Sequence, residues 1–175
     1  MDPFETLGIE PRFDVDLPSL EQRHRDLSRA LHPDRYTGAP GAERRMALSK
    51  AIEVNEAMRT LREPIRRAEA ILRRAGIEMD EVGGPRPPPS LLMEMMEVRE
   101  ELAEARATKD GPRAAAVGRA MKDREQRTMA SLNDTFRAAS GDPAVLAAAI
   151  PLLGELRYLK RCLEEVSAIE EDISP

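Results

Sequence analysis

The chain is interrupted near its middle by a segment that cannot be helical. Residues 83–89 read Gly-Gly-Pro-Arg-Pro-Pro-Pro, so two glycines precede four prolines in five positions. Proline lacks a backbone N–H and has a fixed φ, which excludes it from the interior of a helix. Closely spaced prolines also favour a short, stiff, polyproline-like spacer. The sequence therefore predicts two folded units, residues 1–76 and 90–175, joined by a Gly/Pro-rich linker at residues 77–89.

The composition favours helices on both sides of this linker. Of the 175 residues, 41% are apolar and 34% are charged, which is enough apolar material for a core, and only 3% are aromatic. Sheets draw on aromatic and β-branched residues, whereas Ala, Leu, Glu, Arg and Met are good helix formers. We therefore expect an all-α protein.

Cysteine content and hydropathy exclude several classes of protein. Cys162 is the only cysteine, so the chain can form neither an internal disulfide nor a CxxC pair, and a reducing compartment is expected. The first residues are acidic and have no apolar stretch of the kind found in a signal peptide. No window approaches the roughly 18 consecutive apolar residues of a membrane helix. These features predict a soluble, cytoplasmic protein with no membrane partner.

The charge is unevenly distributed, although the net charge is only -5. Residues 23–74 carry 13 Lys and Arg against 7 Asp and Glu, whereas residues 90–175 carry 12 against 16. A basic first half and an acidic second half indicate two different partners. Basic residues are not interleaved with aromatic residues in the way that nucleic-acid binding requires, so we expect no nucleic-acid partner.

Apolar residues recur at helical spacing in the first unit. The second predicted helix begins at Ser19, where Ser-Leu-Glu-Gln matches the capping-box pattern, and ends before Pro33. The third follows a loop with two glycines and a proline, and its apolar residues from Ala47 to Leu61 form one stripe. We expect four helices before the linker, at residues 3–7, 19–32, 47–63 and 64–76.

Three longer amphipathic helices are predicted after the linker. Ser90 can cap a helix that runs from Leu91 to about Ala107. A second helix covers residues 112–139, and Asp142 with Pro143 begins a third, which Pro151 should kink or split. Short turns between such helices predict an antiparallel three-helix bundle.

The tripeptide His32-Pro33-Asp34 is the most informative short motif in the chain. It follows a basic amphipathic helix and precedes a Gly/Pro loop and a second amphipathic helix. This layout resembles a J-domain, as does the stretch at residues 54–64, Val-Asn-Glu-Ala-Met-Arg-Thr-Leu-Arg-Glu-Pro. The resemblance implies that the tripeptide and the basic helix bind the ATPase domain of a DnaK-type chaperone and stimulate ATP hydrolysis. The chaperone-binding residues would be His32, Pro33, Asp34, Arg23, Arg25 and Arg29.

His24 and His32 do not form a metal site in this prediction. They are eight residues apart, about 12 Å along a helix, which is too far to share one ion. His24 falls on the apolar stripe of its helix, so we expect a half-buried packing residue there. The chain also lacks a Gly-rich phosphate loop, an HExxH motif and a nucleophile–His–acid set, so we expect no enzyme, no metal and no cofactor.

The helix after the linker carries more apolar residues than one core can use. Leu91, Met95, Val98, Leu102 and Ala105 form its core stripe, and the remaining apolar side chains lie about 100–200° away. These are Leu92, Met93 and Met96, and Glu97, Glu100 and Glu104 continue the same side. The pattern alone leaves two interpretations open: a flexible surface for a partner, or a face covered by the first unit. Tyr158 is similarly ambiguous, since it lies off the predicted core seam of its own helix and could be either a solvated residue or an interface anchor.

Several segments resemble the HscB family, the J-type co-chaperones of iron–sulfur cluster assembly. They are residues 91–102, residues 67–72 followed by Gly76, residues 156–159 (Leu-Arg-Tyr-Leu), and the early Phe4, Leu7 and Gly8. The resemblance implies an L-shaped, bacterial-type protein in which a C-terminal three-helix bundle binds the cluster scaffold protein IscU. The scaffold-binding residues would be Leu92, Met93, Met96, Glu97, Glu100, Glu104 and Tyr158.

The expected function is that of a co-chaperone which delivers an IscU-like scaffold to an HscA/DnaK-type ATPase and stimulates that ATPase through residues 32–34. The alternative is a general J-domain co-chaperone for misfolded clients. No Gly/Phe-rich tract and no CxxC zinc module separates the two units, which argues against the alternative.

Overall fold

The computed structural model describes residues 1–77 and 89–173, and every regular element in these two ranges is helical. The chain divides into two compact units, residues 1–78 and 79–175. The glycines and all but the last proline of the expected linker lie outside the described residues. The all-α prediction is confirmed.

The first unit contains four α-helices and one short 3₁₀ helix. The 3₁₀ helix, Pro33–Tyr36, lies between the second and third α-helices and was not anticipated. The α-helices are α1 (Pro3–Leu7), α2 (Leu17–Ala30), α3 (Gly41–Arg62) and α4 (Pro64–Arg74).

Two helix starts differ from the prediction. Helix α2 begins at Leu17 with Asp16 as its N-cap residue, so Ser19 lies inside the helix and forms no capping box. The reason is that Pro18, which has a helical φ and needs no hydrogen-bond partner, extends the helix at its first turn. Helix α3 begins directly after Pro40, so Gly41 is helical and the loop is shorter than expected.

Helix α1 is short but is fixed at both ends. The Asp2 carboxylate accepts hydrogen bonds from the backbone N–H groups of Phe4 and Glu5 at 2.9 and 3.4 Å. Gly8 ends the helix with a φ of 61°, a left-handed conformation that glycine adopts without strain. Arg74, at the end of α4, pairs with Asp2 and, at 3.1 Å, with Glu5. The chain start is therefore tied to the last helix of the unit.

The core of the first unit lies between α1, α2 and α3. Leu20 is its buried side chain from α2, and Leu27 and Leu31 pack partly buried against the same cluster. The stripe predicted on α3 is confirmed in its buried members Ala47, Val54, Met58 and Leu61. The largest fully buried side chains of this unit are Phe4, Leu7, Leu20, Leu61 and Leu72.

Arg67 is a buried charge that joins α4 to the end of α3. Its Nη1 donates to the Leu61 backbone carbonyl at 2.6 Å, and its guanidinium lies over the Phe13 ring, 5.1 Å from the centroid. Burial lowers the pKa of Arg67, while the nearby charges of Glu63 and Asp14 oppose that shift. The arginine is retained in the core because a backbone acceptor and an aromatic face replace part of its hydration.

The second unit contains three long helices and one single-turn helix. Pro151 was expected to kink or split the last helix, but the break falls before it, at residues 147–148. Pro151 is the third residue of the final helix, where a missing N–H leaves no hydrogen bond unmade. The helices are α5 (Pro89–Thr108), α6 (Gly111–Ala139), α7 (Pro143–Leu146) and α8 (Ala149–Ile173).

The core of this unit is formed by one face of each long helix. Leu91, Leu102 and Ala105 are its buried residues from α5, and Met95 and Val98 pack against it partly buried. The core stripe predicted for this helix is therefore confirmed. Helix α8 packs against both α5 and α6, so a wide face of α8 is buried.

Candidate functional site

The His32-Pro33-Asp34 tripeptide is exposed at the start of the 3₁₀ helix. His32 is the N-cap residue, and its Nδ1 accepts a hydrogen bond from the Asp34 backbone N–H at 3.3 Å. The side chains of His32 and Asp34 are 59% and 85% exposed. The backbone around the tripeptide is thus fixed locally while the imidazole and the carboxylate remain available to a partner.

The same ring nitrogen also lies 3.4 Å from Asp34 Oδ2. A nitrogen that accepts the backbone N–H carries no proton, so in that tautomer it cannot donate to the carboxylate. The 3.4 Å approach of Nδ1 to Asp34 Oδ2 is therefore not a hydrogen bond in this arrangement.

The three arginines predicted to bind a chaperone do not share one surface. Arg25 and Arg29 are one helical turn apart on the outward face of α2, where Arg25 Nη2 donates to Gln22 Oε1 at 2.7 Å and Arg29 lies 3.6 Å from Asp26. Arg23 lies about 160° around the helix from Arg25. Its Nε donates to the Leu7 backbone carbonyl at 2.5 Å. The structure therefore groups Arg25 and Arg29 and gives Arg23 a contact within its own unit.

His24 is half-buried, as expected, and makes a contact that its pattern did not reveal. Its Nε2 lies 2.9 Å from Asn55 Oδ1, a hydrogen bond that joins α2 to α3. The Ser28 hydroxyl lies 3.4 Å from the same nitrogen. The two helices that flank the tripeptide are therefore joined by a polar contact as well as by the core.

The apolar residues outside the α5 stripe form an exposed patch. Leu92, Met93 and Met96 are 43%, 65% and 72% exposed. At about 100° per residue, the three apolar side chains and the predicted carboxylates together are centred about 180° around the helix from the centre of the buried stripe. Side chains on that side of the helix cannot reach the core of their own unit. The core of the second unit therefore does not cover the patch, which can contact a partner.

The predicted carboxylates of α5 are exposed beside the apolar patch. Glu97 and Glu100 have no ion-pair partner within 4 Å among residues 1–77 and 89–173. Glu104 lies 2.8 Å from Arg113 of α6, and its hydrogen bond raises the pKa of that arginine. Glu97 and Glu100 are thus the carboxylates that can accept a partner's cation without losing an ion pair.

Ion pairs connect both edges of α5 to its neighbours. On the acidic edge, Glu101 and Glu104 face Arg113, and Glu94 lies 2.6 Å from Arg124 Nη1. The basic edge carries two pairs with α8, Arg99 with Glu165 and Arg106 with Asp172. These ion pairs lie along the two edges between the buried stripe and the apolar patch, so they agree with the rotation that the buried stripe gives to α5.

Arg124 joins all three long helices of the second unit. It belongs to α6, and its Nε donates to Glu155 Oε1 of α8 at 2.6 Å while Nη1 reaches Glu94 of α5. The hydrogen bond with Glu94 raises the pKa of Arg124 above its ordinary range, and Glu155 adds to this shift. No local pattern predicts this contact, because its three members are far apart in sequence.

Comparison with known proteins decides the family. Residues 87–167 match the family described as the HSCB C-terminal oligomerisation domain. The "Co-chaperone protein HscB homolog" of Neisseria meningitidis serogroup B (strain ATCC BAA-335 / MC58) is 32% identical over 165 residues, which cover 94% of this chain and 96% of that protein. The chain belongs to the HscB family.

Solved HscB structures share its fold. The chaperone HscB from Vibrio cholerae superposes with a TM-score of 0.86 at 30% identity and covers 99% of this chain and 100% of that one. The human co-chaperone protein HscB gives a TM-score of 0.84 at 24% identity over 96% of this chain and 81% of that one, and it supports the fold alone. The relatives are described as co-chaperones, and the predicted family is confirmed.

Tyr158 departs from the expected HscB surface. Its side chain was placed beside the exposed face of α5 and off the core seam, but it is buried in the core with Leu102 and Leu159. The physical reason is the wide buried face of α8, which includes residues that a single-seam helix would expose. The Tyr158 hydroxyl lies beside the Cys162 thiol and has no stronger hydrogen-bond partner among the described residues. Burial raises the pKa of Tyr158 to about 12.

The described part of this HscB-family chain offers no metal centre. No group of three or more His, Cys, Asp or Glu side chains in residues 1–77 and 89–173 is arranged to hold an ion. Within the same residues, no helix has both the length and the apolar character needed to cross a membrane. Exposed apolar side chains also occur on α3, at Met46, Leu48 and Ile52. The features that match the predicted binding residues are the exposed tripeptide and the patch on α5.

Proposed function

We propose that this protein is an adaptor between an HscA/DnaK-type ATPase chaperone and an IscU-type iron–sulfur scaffold. The first unit binds the chaperone and stimulates its ATPase, while the second unit binds the scaffold. The observation that carries the proposal is the α5 patch, where three exposed apolar side chains lie on the side away from the core stripe. Beside them are Glu97 and Glu100, which form no ion pair within residues 1–77 and 89–173.

The first unit contributes recognition and no covalent chemistry. The 3₁₀ turn presents His32 and Asp34 to the solvent, and Arg25 and Arg29 form a basic strip on the adjoining helix. Opposite charges accelerate the encounter of two proteins and fix their register. We expect the chaperone to present an acidic surface to α2, and the partner, not this chain, to hydrolyse ATP.

The second unit contributes a surface suited to an apolar partner segment. Methionine side chains are flexible and polarizable, so Met93 and Met96 can adapt to a partner's shape. Burying an exposed leucine or methionine side chain completely contributes about 1.5–3 kcal/mol. Glu97 and Glu100 lie at the rim of the patch, where charges set orientation and partner choice more than affinity.

A chain that holds both partners needs no catalytic residue of its own. Binding the scaffold and the chaperone at once raises the effective concentration of each for the other. We therefore expect neither a bound metal nor a cofactor to be needed for the adaptor's own activity. Because Cys162 cannot form an internal disulfide, we expect the protein to act in a reducing compartment, the cytoplasm.

Isothermal titration with the IscU-type scaffold from the same genome tests the proposal. The variant Leu92→Ala with Met96→Ala should bind at least about thirtyfold more weakly, since truncating two central apolar side chains costs about 2 kcal/mol or more. The matched control is Leu48→Ala with Ile52→Ala, which removes an exposed apolar pair at the same spacing from the outward face of α3. This control should bind the scaffold with unchanged affinity.

Two results would contradict the proposal. One is equal scaffold affinity in the α5 variant and the unaltered protein. The other is prevention of aggregation of unrelated denatured proteins with no measurable affinity for the scaffold, which would support a general co-chaperone. Circular dichroism of each variant establishes that the helices are intact.

A further inference from the structure

The acidic edge of α5 is held most firmly at the end that carries the apolar patch. Arg124 is 24% exposed and Glu155 is 21% exposed, so this pair is more shielded than the other ion pairs of the second unit. Both carboxylates approach the guanidinium to 2.6 Å, one from α5 and one from α8. A planar guanidinium can bind two carboxylates at once, whereas an ammonium has no fixed fork to do so.

The same end of α5 has few core contacts of its own. In its first two turns, Leu91 is buried and Met95 packs partly buried, while the other apolar side chains are exposed. Glu94 lies between these two core residues and directly follows Met93. Within the described residues, its contact with Arg124 is therefore the side-chain ion pair that restrains the turns that present the patch.

We propose that Arg124 is a positioning residue for scaffold binding, which holds the first two turns of α5 so that the apolar patch is presented in one fixed orientation. The predicted effect on scaffold affinity rests on the proposed function, whereas the restraint of α5 does not. Arg124 does not itself contact the scaffold in this account, because it faces Glu94 and Glu155 between the helices of its own unit. Its effect is transmitted through Glu94 to the neighbouring Met93 and Met96.

Isolated surface ion pairs contribute little to stability, because the solvent screens them. Arg124 differs in that one side chain restrains three helices and is mostly shielded. We therefore expect its loss to increase local opening at the start of α5 more than it lowers the stability of the whole unit. Local opening of a helix end is detected by amide hydrogen exchange.

The experiment combines hydrogen exchange of the free protein with scaffold titration, using four variants of the full chain. Arg124→Gln removes the charge, and Glu94→Gln removes only the link to α5. Arg124→Lys keeps the charge without the fork, and Arg106→Gln is the control, since it removes an ion pair between α5 and α8 away from the patch.

The proposal predicts faster exchange in peptides covering residues 90–97 for Arg124→Gln and Glu94→Gln, and unchanged exchange there for Arg106→Gln. Scaffold affinity should fall about fivefold to tenfold in the first two variants, as expected for the loss of about 1 kcal/mol of restraint. Arg124→Lys should change both the exchange rate and the scaffold affinity less than Arg124→Gln does. The double variant of Arg124 and Glu94 should be no worse than Arg124→Gln alone, because Arg124→Gln already removes the contact with Glu94.

Unchanged exchange at residues 90–97 in Arg124→Gln and Glu94→Gln would overturn the inference, whatever the scaffold does. Faster exchange with undiminished scaffold affinity would overturn it as well, since the restraint would then not serve binding. Faster exchange in a protein whose unaltered form has no affinity for the scaffold would instead refute the proposed function and leave the restraint established.

Discussion

Arg23 donates from Nε to the backbone carbonyl of Leu7 at 2.5 Å, so a residue of α2 satisfies the last turn of α1. Carbonyls at the end of a helix have no partner within the helix and need one elsewhere. Arg23 therefore joins two elements of the first unit, and its charge is directed away from the strip formed by Arg25 and Arg29. The arginines of α2 therefore have two roles: Arg23 stabilises the unit itself, whereas Arg25 and Arg29 are directed toward a partner.

Replacing Arg23 and Arg25 by Gln separates these two uses. Arg23→Gln should lower the free energy of unfolding by about 1 kcal/mol, because a charged donor to a backbone carbonyl is lost. Arg25→Gln should change stability by less than about 0.5 kcal/mol, since its contacts are exposed. The second variant should instead require more protein for half-maximal stimulation of the chaperone ATPase. Urea unfolding measures stability, and ATPase titration measures stimulation of the chaperone. A loss of stability in Arg25→Gln together with weaker stimulation only in Arg23→Gln would contradict the prediction.

Gly8 is a position where a side chain should be costly. Its φ of 61° is left-handed, and an added Cβ would lie 2.4 Å from Arg23 Nη2. Because that atom is the end of a flexible side chain, backbone strain of about 1–2 kcal/mol dominates the cost of Gly8→Ala. Gly38→Ala is the control, since nothing lies within 4 Å of its added Cβ. Equal thermal stability of the two variants would contradict the assigned role of Gly8.

Tyr158→Phe should stabilise the second unit. Among the described residues the buried hydroxyl has only the Cys162 thiol as a weak partner, so its removal should raise the free energy of unfolding by about 0.5–1 kcal/mol. Scaffold affinity should not change, because the ring is part of the core. Loss of scaffold affinity without loss of stability would restore Tyr158 to the binding surface.

The same residue predicts a dependence of stability on alkaline pH. The pKa of Tyr158 is raised from 10.0 to about 12, with burial as the largest cause. The unfolded chain therefore loses this proton first, and the stability that the neutral hydroxyl preserves below pH 10 is lost as the pH rises toward 12. The difference in free energy of unfolding between Tyr158→Phe and the unaltered protein should widen over this range. A constant difference from pH 8 to pH 12 would contradict the prediction.

Periodicity explains which parts of the fold could be predicted from the sequence. The stripe on α5 from Leu91 to Ala105 repeats at helical spacing, and the same spacing shows that Leu92 and Met96 cannot face that core. The tripeptide was identifiable because its order in the chain and its position between two amphipathic helices are both local features. These features could be predicted because they depend on residues that are close together in the sequence.

The features that were missed depend on contacts between distant segments. Ser19 matched a capping box, but the preceding Pro18 let the helix begin earlier. Tyr158 lies off the single core seam predicted for its helix, but it is buried because α8 packs against two helices and so buries a wider face. The Arg124 contact needs three helices to be assembled before it exists. Spacing along one helix does not determine such contacts.

The steady-state ATPase of the HscA-type chaperone from the same genome tests the central claim most directly. This protein is titrated in with and without the IscU-type scaffold, and His32→Gln is measured alongside. The account predicts a rise in the rate, a further rise with scaffold, and a return to baseline with His32→Gln. An unchanged rate, or an equal rise with any unfolded client and none added by the scaffold, would contradict it.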